Sequence, residues 1–208
     1  LGLLPETASV SGAVIIRGHG DRETDVVHAT PAQLRRMRGT DAAMVFQEPS
    51  TALNPVYTVG WQIAEGIRAH QKVSKAEARV RAIDVLRRVG IPDPENRVDN
   101  YPHQFSGGQK QRVVIAMALV MNARLIIADE PTTALDVTVQ AEILDLLRTC
   151  RDEFGATVVL ITHNMGVVAD LADRVIVMYR GKIVEQAPVA ELFAHPREEY
   201  TRQLLAAV

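Results

Sequence analysis

The sequence has a single cysteine, Cys150, among its 208 residues, so no disulfide can form within the chain and a reducing compartment fits. Its apolar runs are all much shorter than the roughly 18 to 20 residues of a membrane-spanning helix, so we expect any membrane role to depend on partner proteins. The formal net charge of only −2 provides no basic field for nucleic acid. These absences favour a soluble cytoplasmic protein that binds no nucleic acid.

A further absence concerns phosphate binding. No stretch of the sequence has the form G-x-x-x-x-G-K-[ST], the loop in which glycines and a lysine surround nucleotide phosphates. Gly18-His19-Gly20 cannot replace that loop because it lacks the lysine and leads into the polar residues 21–24. We therefore predict a surface turn at residues 18–20.

The most informative segment that is present covers residues 106–112, which read Ser-Gly-Gly-Gln-Lys-Gln-Arg. Ser106 and Gln109 have the spacing of a capping box, which predicts the start of a helix. The first turn of a helix offers unpaired backbone N–H groups to an anion, and Gly107 and Gly108 would let a phosphate approach closely. The segment therefore predicts an anion-binding helix start.

A second informative pattern is an apolar strand at residues 125–128 that is followed directly by Asp129 and Glu130. A short, wholly apolar strand is typical of a parallel sheet buried on both faces, with chemistry at the carboxyl end of the strand. One carboxylate could hold a metal ion and the other a water molecule. The alternative is that Asp129, Glu130 and Pro131 only cap the next helix.

Three further elements occur in a fixed order relative to these two patterns. They are Gln47 after the strand at residues 42–46, the run Thr133-Ala134-Leu135-Asp136, and His163 after the strand at residues 158–162. Together, the five elements resemble the ATP-binding-cassette (ABC) family. In that family, residues 106–112 would be the signature motif and residues 125–130 the Walker B strand.

By this resemblance, the chain would bind ATP and Mg²⁺. Asp129 would hold the metal, and Glu130 would polarise the water that attacks the γ-phosphate. Gln47 would contact the metal or the attacking water. His163 would donate a hydrogen bond to the γ-phosphate.

The same resemblance implies a dimer in which the signature residues of one subunit complete the ATP site of the other. These signature residues are Ser106, Gly107, Gly108 and Gln109. Asp136 would lie at the dimer interface. It could also N-cap the following helix, and both roles can hold at once.

The fold implied by the resemblance is an α/β fold of the P-loop NTPase type, a three-layer core with a mostly parallel sheet and an inserted helical subdomain. The N-terminal strand and phosphate loop of that fold are missing from the sequence, so we expect the chain to begin one helix after that loop. The predicted parts are a truncated first part of the ATPase core at 1–46, a helical subdomain with the signature motif at 47–122, the second part of the core at 123–185, and a C-terminal helical tail at 186–208.

Hydrophobic periodicity predicts the individual elements. The predicted strands are residues 11–17, 42–46, 125–128, 157–162 and 174–179. The predicted helices are residues 59–70, 75–89 and 137–151, the signature helix, and a helix after Asn164. In the helix at 75–89, the predicted buried stripe contains Val80, Ile83, Leu86 and Val89. Arg180-Gly181 predicts a hairpin turn.

Within the family, residues 54–60 and 101–106 resemble the ATPase subunits of bacterial oligopeptide, dipeptide or nickel importers. That likeness implies a subunit attached peripherally to permease subunits at the cytoplasmic face of the inner membrane. It also implies an identical or similar second ATPase subunit and, indirectly, a solute-binding protein. The usual His-Pro before Tyr200-Thr201 is here Glu198-Glu199, which leaves the transported solute open. The cysteine-bearing extension of some members is absent after Val208, so we expect no iron–sulfur cluster.

Two other functions stay open from the sequence. A soluble ABC-type ATPase of DNA repair or translation shares the signature and Walker B elements. The segment between Gln47 and Ser106 argues against it, because that segment is short, is not notably basic and lacks sustained heptads. Alternatively, the chain is a fragment or degenerate subunit that hydrolyses no ATP, since the phosphate loop is absent.

Overall fold

The computed structural model describes residues 1–5 and 7–206. The chain divides into two compact units, Leu1–Val159 and Leu160–Val208. The strands of the first unit are β1 (Ile15–Arg17), β2 (Glu23–Asp25), β3 (Ala42–Val45), β4 (Leu125–Asp129) and the start of β5 (Thr157–Ile161). Its helices are α1 (Pro31–Met37), α2 (Pro49–Ala52), α3 (Val59–His70), α4 (Lys75–Arg88), α5 (Pro94–Arg97), α6 (Gly107–Leu119) and α7 (Val137–Asp152). The second unit contains α8 (Met165–Leu171), β6 (Arg174–Tyr179), β7 (Lys182–Pro188), α9 (Val189–Ala194) and α10 (Glu199–Ala206).

The first unit is built around strands β3 and β4, whose apolar side chains lie in its core. The two strands pair in parallel, with Ala42 opposite Leu125 and Val45 opposite Ala128, and β5 lies beside β4. Val45, Ile126 and Ala128 are fully buried. The predicted α/β fold with a parallel sheet is confirmed. Because the pair is parallel and in register, the residues after Val45 and after Asp129 emerge at the same edge of the sheet.

Helices α2 to α6 lie between β3 and β4 in the sequence, and polar caps fix where three of them begin. The side chains of Thr58, Ser74 and Ser106 each accept a hydrogen bond from the backbone N–H three residues further on. Such caps satisfy one of the N–H groups that a helix start leaves unpaired. The predicted bounds of α3 are confirmed, and α4 ends one residue earlier than predicted.

The predicted buried stripe of α4 is wrong at Val80, whose residue surface is 65% exposed. Leu86 and Val89 are buried as predicted, and the other side chains that α4 buries are those of Ala78, Ala82 and Val85. Val80 lies two residues from Ala78, about 200° around the helix at 100° per residue, and so points away from that face. Small alanines on the buried face allow α4 to pack closely.

The predicted strand at residues 11–17 is shorter than expected. Its ladder with β2 begins at the pair Ile15 and Asp25, while the Val14 N–H donates to a side-chain oxygen of Asp25 at 3.1 Å. The Val14 carbonyl still accepts a backbone hydrogen bond from the Val26 N–H at 2.8 Å, but the Val14 N–H is bound by the Asp25 side chain, so the paired strand begins at Ile15. The predicted turn at residues 18–20 is confirmed as a short 3₁₀ turn, with Gly20 in the left-handed region at φ 67°.

A buried carboxylate anchors this turn to the rest of the first unit. Asp41 is 1% exposed and accepts hydrogen bonds from the His19 backbone N–H at 3.1 Å and from the Arg22 guanidinium at 2.8 Å. Gly18 lies against the same carboxylate, where there is no room for a side chain. The turn therefore requires glycine at residue 18 for close approach.

Replacing Gly18 with alanine is expected to lower the free energy of unfolding by about 1–3 kcal/mol. The new Cβ would lie 2.3 Å from Cγ of Asp41, and that carboxylate cannot move aside without losing its two partners. Urea denaturation measures the change. The control is Gly66→Ala in α3, where a Cβ meets no described atom within 4 Å and helix propensity should add about 0.5–1 kcal/mol. Equal stability of Gly18→Ala and the unsubstituted chain would contradict the prediction.

The second unit contains the predicted hairpin. Strands β6 and β7 pair antiparallel, and the turn residues Arg180 and Gly181 both have positive φ, at 51° and 76°, as a tight hairpin turn requires. A small core packs around Val177 and Leu192. None of the helices that the structure describes has both the length and the apolar character to cross a membrane.

A carboxylate on β7 holds the start of the C-terminal helix α10. Glu185 is 8% exposed and accepts hydrogen bonds from the backbone N–H groups of Arg197 at 2.9 Å and Glu198 at 3.1 Å. The adjacent Thr201 hydroxyl and these two N–H groups lower the pKa of Glu185 below its usual value. The ionised form of Glu185 is therefore the form that the fold stabilises.

We expect α10 to detach locally at acidic pH. Because the pKa of Glu185 is lower in the folded chain, its stabilising effect is present above the unfolded pKa of about 4.3 and is lost as pH falls through the folded value. Limited proteolysis of the C-terminal segment as a function of pH measures this. Glu185→Gln should cleave readily at neutral pH and lose the pH dependence, and a profile unchanged by this substitution would refute the assignment.

Cys150 behaves as a packed residue of α7. It is fully buried, and burial raises the pKa of its thiol to about 12. A thiol with such a pKa is protonated at neutral pH and is a poor nucleophile. Cys150 therefore serves as a small packed side chain in the core of the first unit.

Candidate functional site

Three of the residues predicted to act on ATP lie at the carboxyl ends of β3 and β4. Gln47 follows β3, Asp129 is the last residue of β4, and Glu130 follows it. The Gln47 side-chain amide donates to Oε2 of Glu130 at 3.5 Å, although the two residues are 83 positions apart in sequence. This contact forms because β3 and β4 pair in parallel and in register, so the residues after each strand lie side by side.

Glu130 has an unusual backbone conformation at this edge. Its φ is 45°, in the left-handed region that non-glycine residues adopt at a cost of about 1–3 kcal/mol. The turn is closed by the Thr133 N–H, which donates to the Glu130 carbonyl at 3.2 Å. The turn directs the Glu130 side chain to the same edge as Gln47.

Thr133 is a site residue that sequence reasoning did not assign. Its hydroxyl donates to Oε2 of Glu130 at 2.7 Å, so Glu130 accepts side-chain hydrogen bonds from Thr133 and from Gln47. The available signal was the position of a threonine three residues after a turn residue, where its hydroxyl can reach back. Thr133 therefore fixes the orientation of the carboxylate.

The alternative that Asp129, Glu130 and Pro131 cap the next helix is wrong. The N-cap of α7 is Asp136, whose Oδ1 accepts a hydrogen bond from the Val139 N–H at 2.9 Å. The expected capping role of Asp136 is thus confirmed. Since helix α7 is capped elsewhere, Asp129 and Glu130 remain available for chemistry at the sheet edge.

Residues with oxygen ligands suited to Mg²⁺ lie at this edge, namely Asp129, Glu130 and Gln47. Among residues 1–5 and 7–206, no group of three or more His, Cys, Asp or Glu side chains is arranged to enclose a metal ion. Mg²⁺ commonly takes one or two carboxylates and keeps water and phosphate oxygens as its other ligands. The side chains present fit Mg²⁺ bound together with a nucleotide.

The helix start at Ser106 has the predicted capping box. The Ser106 hydroxyl accepts from the Gln109 N–H at 3.3 Å, and the Gln109 side chain accepts from the Ser106 N–H at 3.1 Å. Ser106 and Gly107 are exposed. Arg97, which sequence reasoning did not assign, donates from its guanidinium to the same Gln109 oxygen at 3.3 Å. The exposed side of this helix start therefore carries Ser106 and Gly107, and the binding of an anion there stays a prediction.

Gly108 lies on the opposite side of this helix start, against helix α7. It is buried, and a Cβ at residue 108 would lie 2.4 Å from Cγ1 of Val139. Val139 is the residue whose N–H the Asp136 cap binds. The start of α6 and the start of α7 are therefore fixed relative to each other by a contact that only glycine permits.

Arg112, also unassigned from sequence, connects three helices of the first unit. Its guanidinium on α6 donates to the carbonyl of Val89 at the end of α4 at 2.7 Å and to Glu142 on α7 at 2.6 Å. The last turn of a helix leaves carbonyl groups unpaired, and Arg112 satisfies one of them. This side chain fixes α6 between α4 and α7.

His163 belongs to the second unit. It is exposed and lies two residues after β5, directly before Asn164, whose side chain caps α8 by accepting from the N–H groups of Gly166 and Val167. Its position after a strand end is as predicted, and its contact with a γ-phosphate stays a prediction.

Comparison with protein-family models matches residues 5–133 to the ABC transporter model. A putative peptide import ATP-binding protein of Brucella melitensis is 52% identical over 198 residues, which cover 95% of this chain and 59% of the relative. A probable peptide ABC transporter ATP-binding protein of Sinorhizobium fredii is 51% identical, with 100% of this chain and 61% of the relative covered. A glutathione import ATP-binding protein of Salmonella choleraesuis is 52% identical over 95% of this chain and 32% of its own length. The chain thus spans about three fifths of the first two relatives.

Solved structures of similar fold are also ATP-binding cassettes. A dimeric cassette in a post-hydrolysis state with bound ADP and phosphate has a TM-score of 0.69 and 30% identity, over 80% of this chain and 70% of that one. A cassette of Clostridium perfringens, part of an ABC transporter complex, has a TM-score of 0.70 and 30% identity, over 91% of this chain and 74% of that one. These likenesses support the assignment of the P-loop NTPase fold.

Proposed function

Because the chain belongs to the ABC transporter family, we propose that it is the ATP-hydrolysing subunit of a bacterial peptide importer. The observation that carries the proposal is the Glu130 carboxylate, held at a strand end by Gln47 at 3.5 Å and by Thr133 at 2.7 Å. A carboxylate fixed in this way can orient a water molecule and accept its proton. The relatives named as peptide or glutathione import proteins support a peptide as the solute, since glutathione is itself a peptide.

In the proposed reaction, Glu130 accepts a hydrogen bond from the water that attacks the γ-phosphate and takes up its proton. Gln47 would contact the metal or this water, and Asp129 would provide the carboxylate for Mg²⁺. Bound Mg²⁺ would neutralise charge that develops on the phosphate oxygens. His163 would donate a hydrogen bond to the γ-phosphate.

A second ATPase subunit, identical or similar, is part of the proposal. Ser106, Gly107, Gly108 and Gln109 would complete the ATP site of that subunit through the open first turn of α6. Asp136 would lie at the interface, and its neighbour Val137 supports this because it is an apolar residue that is 83% exposed. The dimeric state of a similar solved cassette supports the same arrangement.

The permease is the other proposed partner, at the cytoplasmic face of the inner membrane. Beyond Gln47, the chain forms α2 and then exposes Val56, Tyr57 and Trp61, at 69%, 42% and 46% of their surfaces. Tyr57 and Trp61 stack with ring centroids 4.0 Å apart. Exposed aromatic residues grouped in this way are typical of protein interfaces, and this group lies at the end of the segment that begins at Gln47. A solute-binding protein would act on this subunit only through the permease.

We also propose the division of the chain into core segments at 1–46 and 123–185, a helical subdomain at 47–122 and a helical tail at 186–208. The uninterrupted series of helices α2 to α6 between β3 and β4 supports the inserted subdomain. The tail's helices α9 and α10 follow β7, which extends to Pro188 and so contains the first three residues of the proposed tail.

Peptide uptake by intact cells tests the proposed function. Deleting the gene should abolish uptake of labelled di- and oligopeptides, and the unsubstituted gene should restore it while Glu130→Gln should not. Loss of nickel uptake instead would identify nickel as the solute. Unchanged uptake of all these solutes, together with hydrolysis by the purified protein that DNA or ribosomes stimulate, would favour the soluble ATPase. Failure of the full-length protein to bind Mg-ATP would favour a degenerate subunit.

A further inference from the structure

Gln111 is a polar residue in the buried part of helix α6. It is 1% exposed, and the residues that follow it, from Val113 to Ala116, are buried and apolar. Its side-chain amide nitrogen donates to the Phe46 carbonyl at 3.4 Å. In the part of the chain that the structure describes, no donor reaches its Oε1 atom. Since a carbonyl only accepts, the nitrogen must face Phe46, and the orphaned atom must be the oxygen.

This arrangement is unfavourable for stability alone. Buried polar atoms in native proteins almost always have partners, and one without a partner requires a functional or structural reason. A methionine of similar length would fill the same space without an unpaired oxygen. The unpaired oxygen of Gln111 therefore calls for an explanation beyond packing.

Phe46 leads directly to the proposed catalytic carboxylate. It precedes Gln47, whose amide donates to Glu130 at 3.5 Å, and Glu130 in turn accepts from Thr133 at 2.7 Å. A continuous series of contacts thus runs from α6 to Glu130. The two bonds made by glutamines, at 3.4 and 3.5 Å, are long for hydrogen bonds, whereas the bond from Thr133 has the usual length. The glutamine contacts are therefore the ones that can shorten when the site closes.

The other end of the series is the helix start that faces the second subunit. Ser106 and Gln111 lie on the same α-helix, about 7.5 Å apart along its axis for five residues. A continuous helix transmits a displacement of its first turn to a residue one and a half turns further on. Movement of Ser106 toward a bound nucleotide would therefore change the contact between Gln111 and Phe46.

We propose that Gln111 is a positioning residue that links the start of α6 to Gln47 and, through Gln47, to the orientation of Glu130. The inference rests on the proposed function, since it concerns the same hydrolysis site. Closure at the second subunit's nucleotide strengthens the contact of Gln111 with the segment at Phe46, and its Oε1 provides a further acceptor for that segment. In this way, the helix start that completes the ATP site of the second subunit also controls the orientation of Glu130 in this subunit's own ATP site.

Gln111→Met in the full-length protein tests the inference, because it keeps the volume and removes the amide. We expect ATP hydrolysis to fall by about tenfold to a hundredfold, while ATP affinity changes by less than about twofold. The thermal unfolding midpoint without nucleotide should stay within about 2 °C of the unsubstituted protein or rise. The double variant Gln47→Ala/Gln111→Met should hydrolyse ATP no more slowly than the slower single variant, because both changes interrupt one series.

The matched control is Gln62→Met in α3. Gln62 is also buried, at 8% exposure, but its amide is fully bonded, accepting from the Asn54 N–H at 2.8 Å and donating to the carbonyls of Asn54 and Tyr57 at 2.9 and 3.0 Å. This substitution should lower the unfolding midpoint by several degrees, roughly 4–8 °C. Comparing the unfolding midpoints of the two variants therefore distinguishes an amide that stabilises the fold from one that positions the catalytic residues.

Three outcomes would overturn the inference. Hydrolysis by Gln111→Met at the unsubstituted rate would overturn it and leave the proposed function intact. A fall in the unfolding midpoint like that of Gln62→Met would mean that Gln111 only supports the fold. Absence of hydrolysis in the unsubstituted full-length protein would overturn the proposed function and the inference together.

Discussion

Glu130→Gln in the full-length protein is expected to lower ATP turnover at least about a hundredfold while ATP binding is retained. The amide has the shape of the carboxylate and can still accept the Thr133 hydroxyl hydrogen, which now reaches Oε2 at 2.7 Å. It is neutral, however, and cannot take a proton from the attacking water. Because ATP stays bound without being hydrolysed, the closed dimer should accumulate. Phosphate release and size-exclusion chromatography with ATP measure the two effects.

The control for this substitution is Glu153→Gln. Glu153 is an exposed carboxylate just after α7, so the same change of charge occurs away from the sheet edge. Its turnover should match that of the unsubstituted protein. Unchanged hydrolysis by Glu130→Gln would remove Glu130 from the mechanism and return Asp129 and His163 to consideration.

The two glycines of the signature segment are expected to respond differently to alanine. Gly108→Ala should lower the free energy of unfolding by about 1–3 kcal/mol, because its Cβ would lie 2.4 Å from Cγ1 of Val139. Hydrolysis should fall about a hundredfold through displacement of the α6 start. Gly107→Ala should leave stability unchanged or slightly higher, since among the described residues its Cβ meets only Leu135, at 3.9 Å. Its effect on hydrolysis should come from crowding the phosphate in the second subunit's site.

Rescue by a second substitution distinguishes these two causes. Val139→Ala removes the methyl group that clashes with a Cβ at residue 108, so Gly108→Ala/Val139→Ala should recover much of the lost stability. The same change at Val139 should not improve hydrolysis by Gly107→Ala. Urea denaturation and ATPase rates are compared for the unsubstituted protein, the two single glycine variants and the two double variants with Val139→Ala. Equal stability losses at both glycines would contradict the packing geometry of α6 against α7.

Local sequence patterns predicted the part of the site that depends on strand ends and caps. Apolar runs ending in Gln47 and in Asp129-Glu130 identify two parallel strands, and parallel strands in register place their next residues at one edge. Ser106 with Gln109 predicts the capping box. These features depend on residues close together in sequence or on one simple pairing rule, which explains why sequence alone sufficed.

Features that depend on distant contacts were not predicted. The hydrogen bonds from Gln111 to Phe46 and from Arg112 to Val89 and Glu142 join residues 23 to 65 positions apart. The periodicity of hydrophobic residues along the sequence does not indicate such contacts. The exposure of Val80 was missed because alanines, which have a weak hydrophobic signal, form the buried face of α4. In each case the packing of a neighbouring helix decides the outcome.

The side chain of Arg112 has a consequence for the cooperativity of unfolding. Separating α4 from α7 would leave the Val89 carbonyl, the Glu142 carboxylate and the Arg112 guanidinium, whose side chain is only 18% exposed, without their present partners. Partial opening is therefore penalised more than the loss of apolar contacts alone would suggest. The inserted helices and the strands that flank them should melt in a single transition, so that the helix start at Ser106 and the sheet edge at Glu130 persist or disappear together.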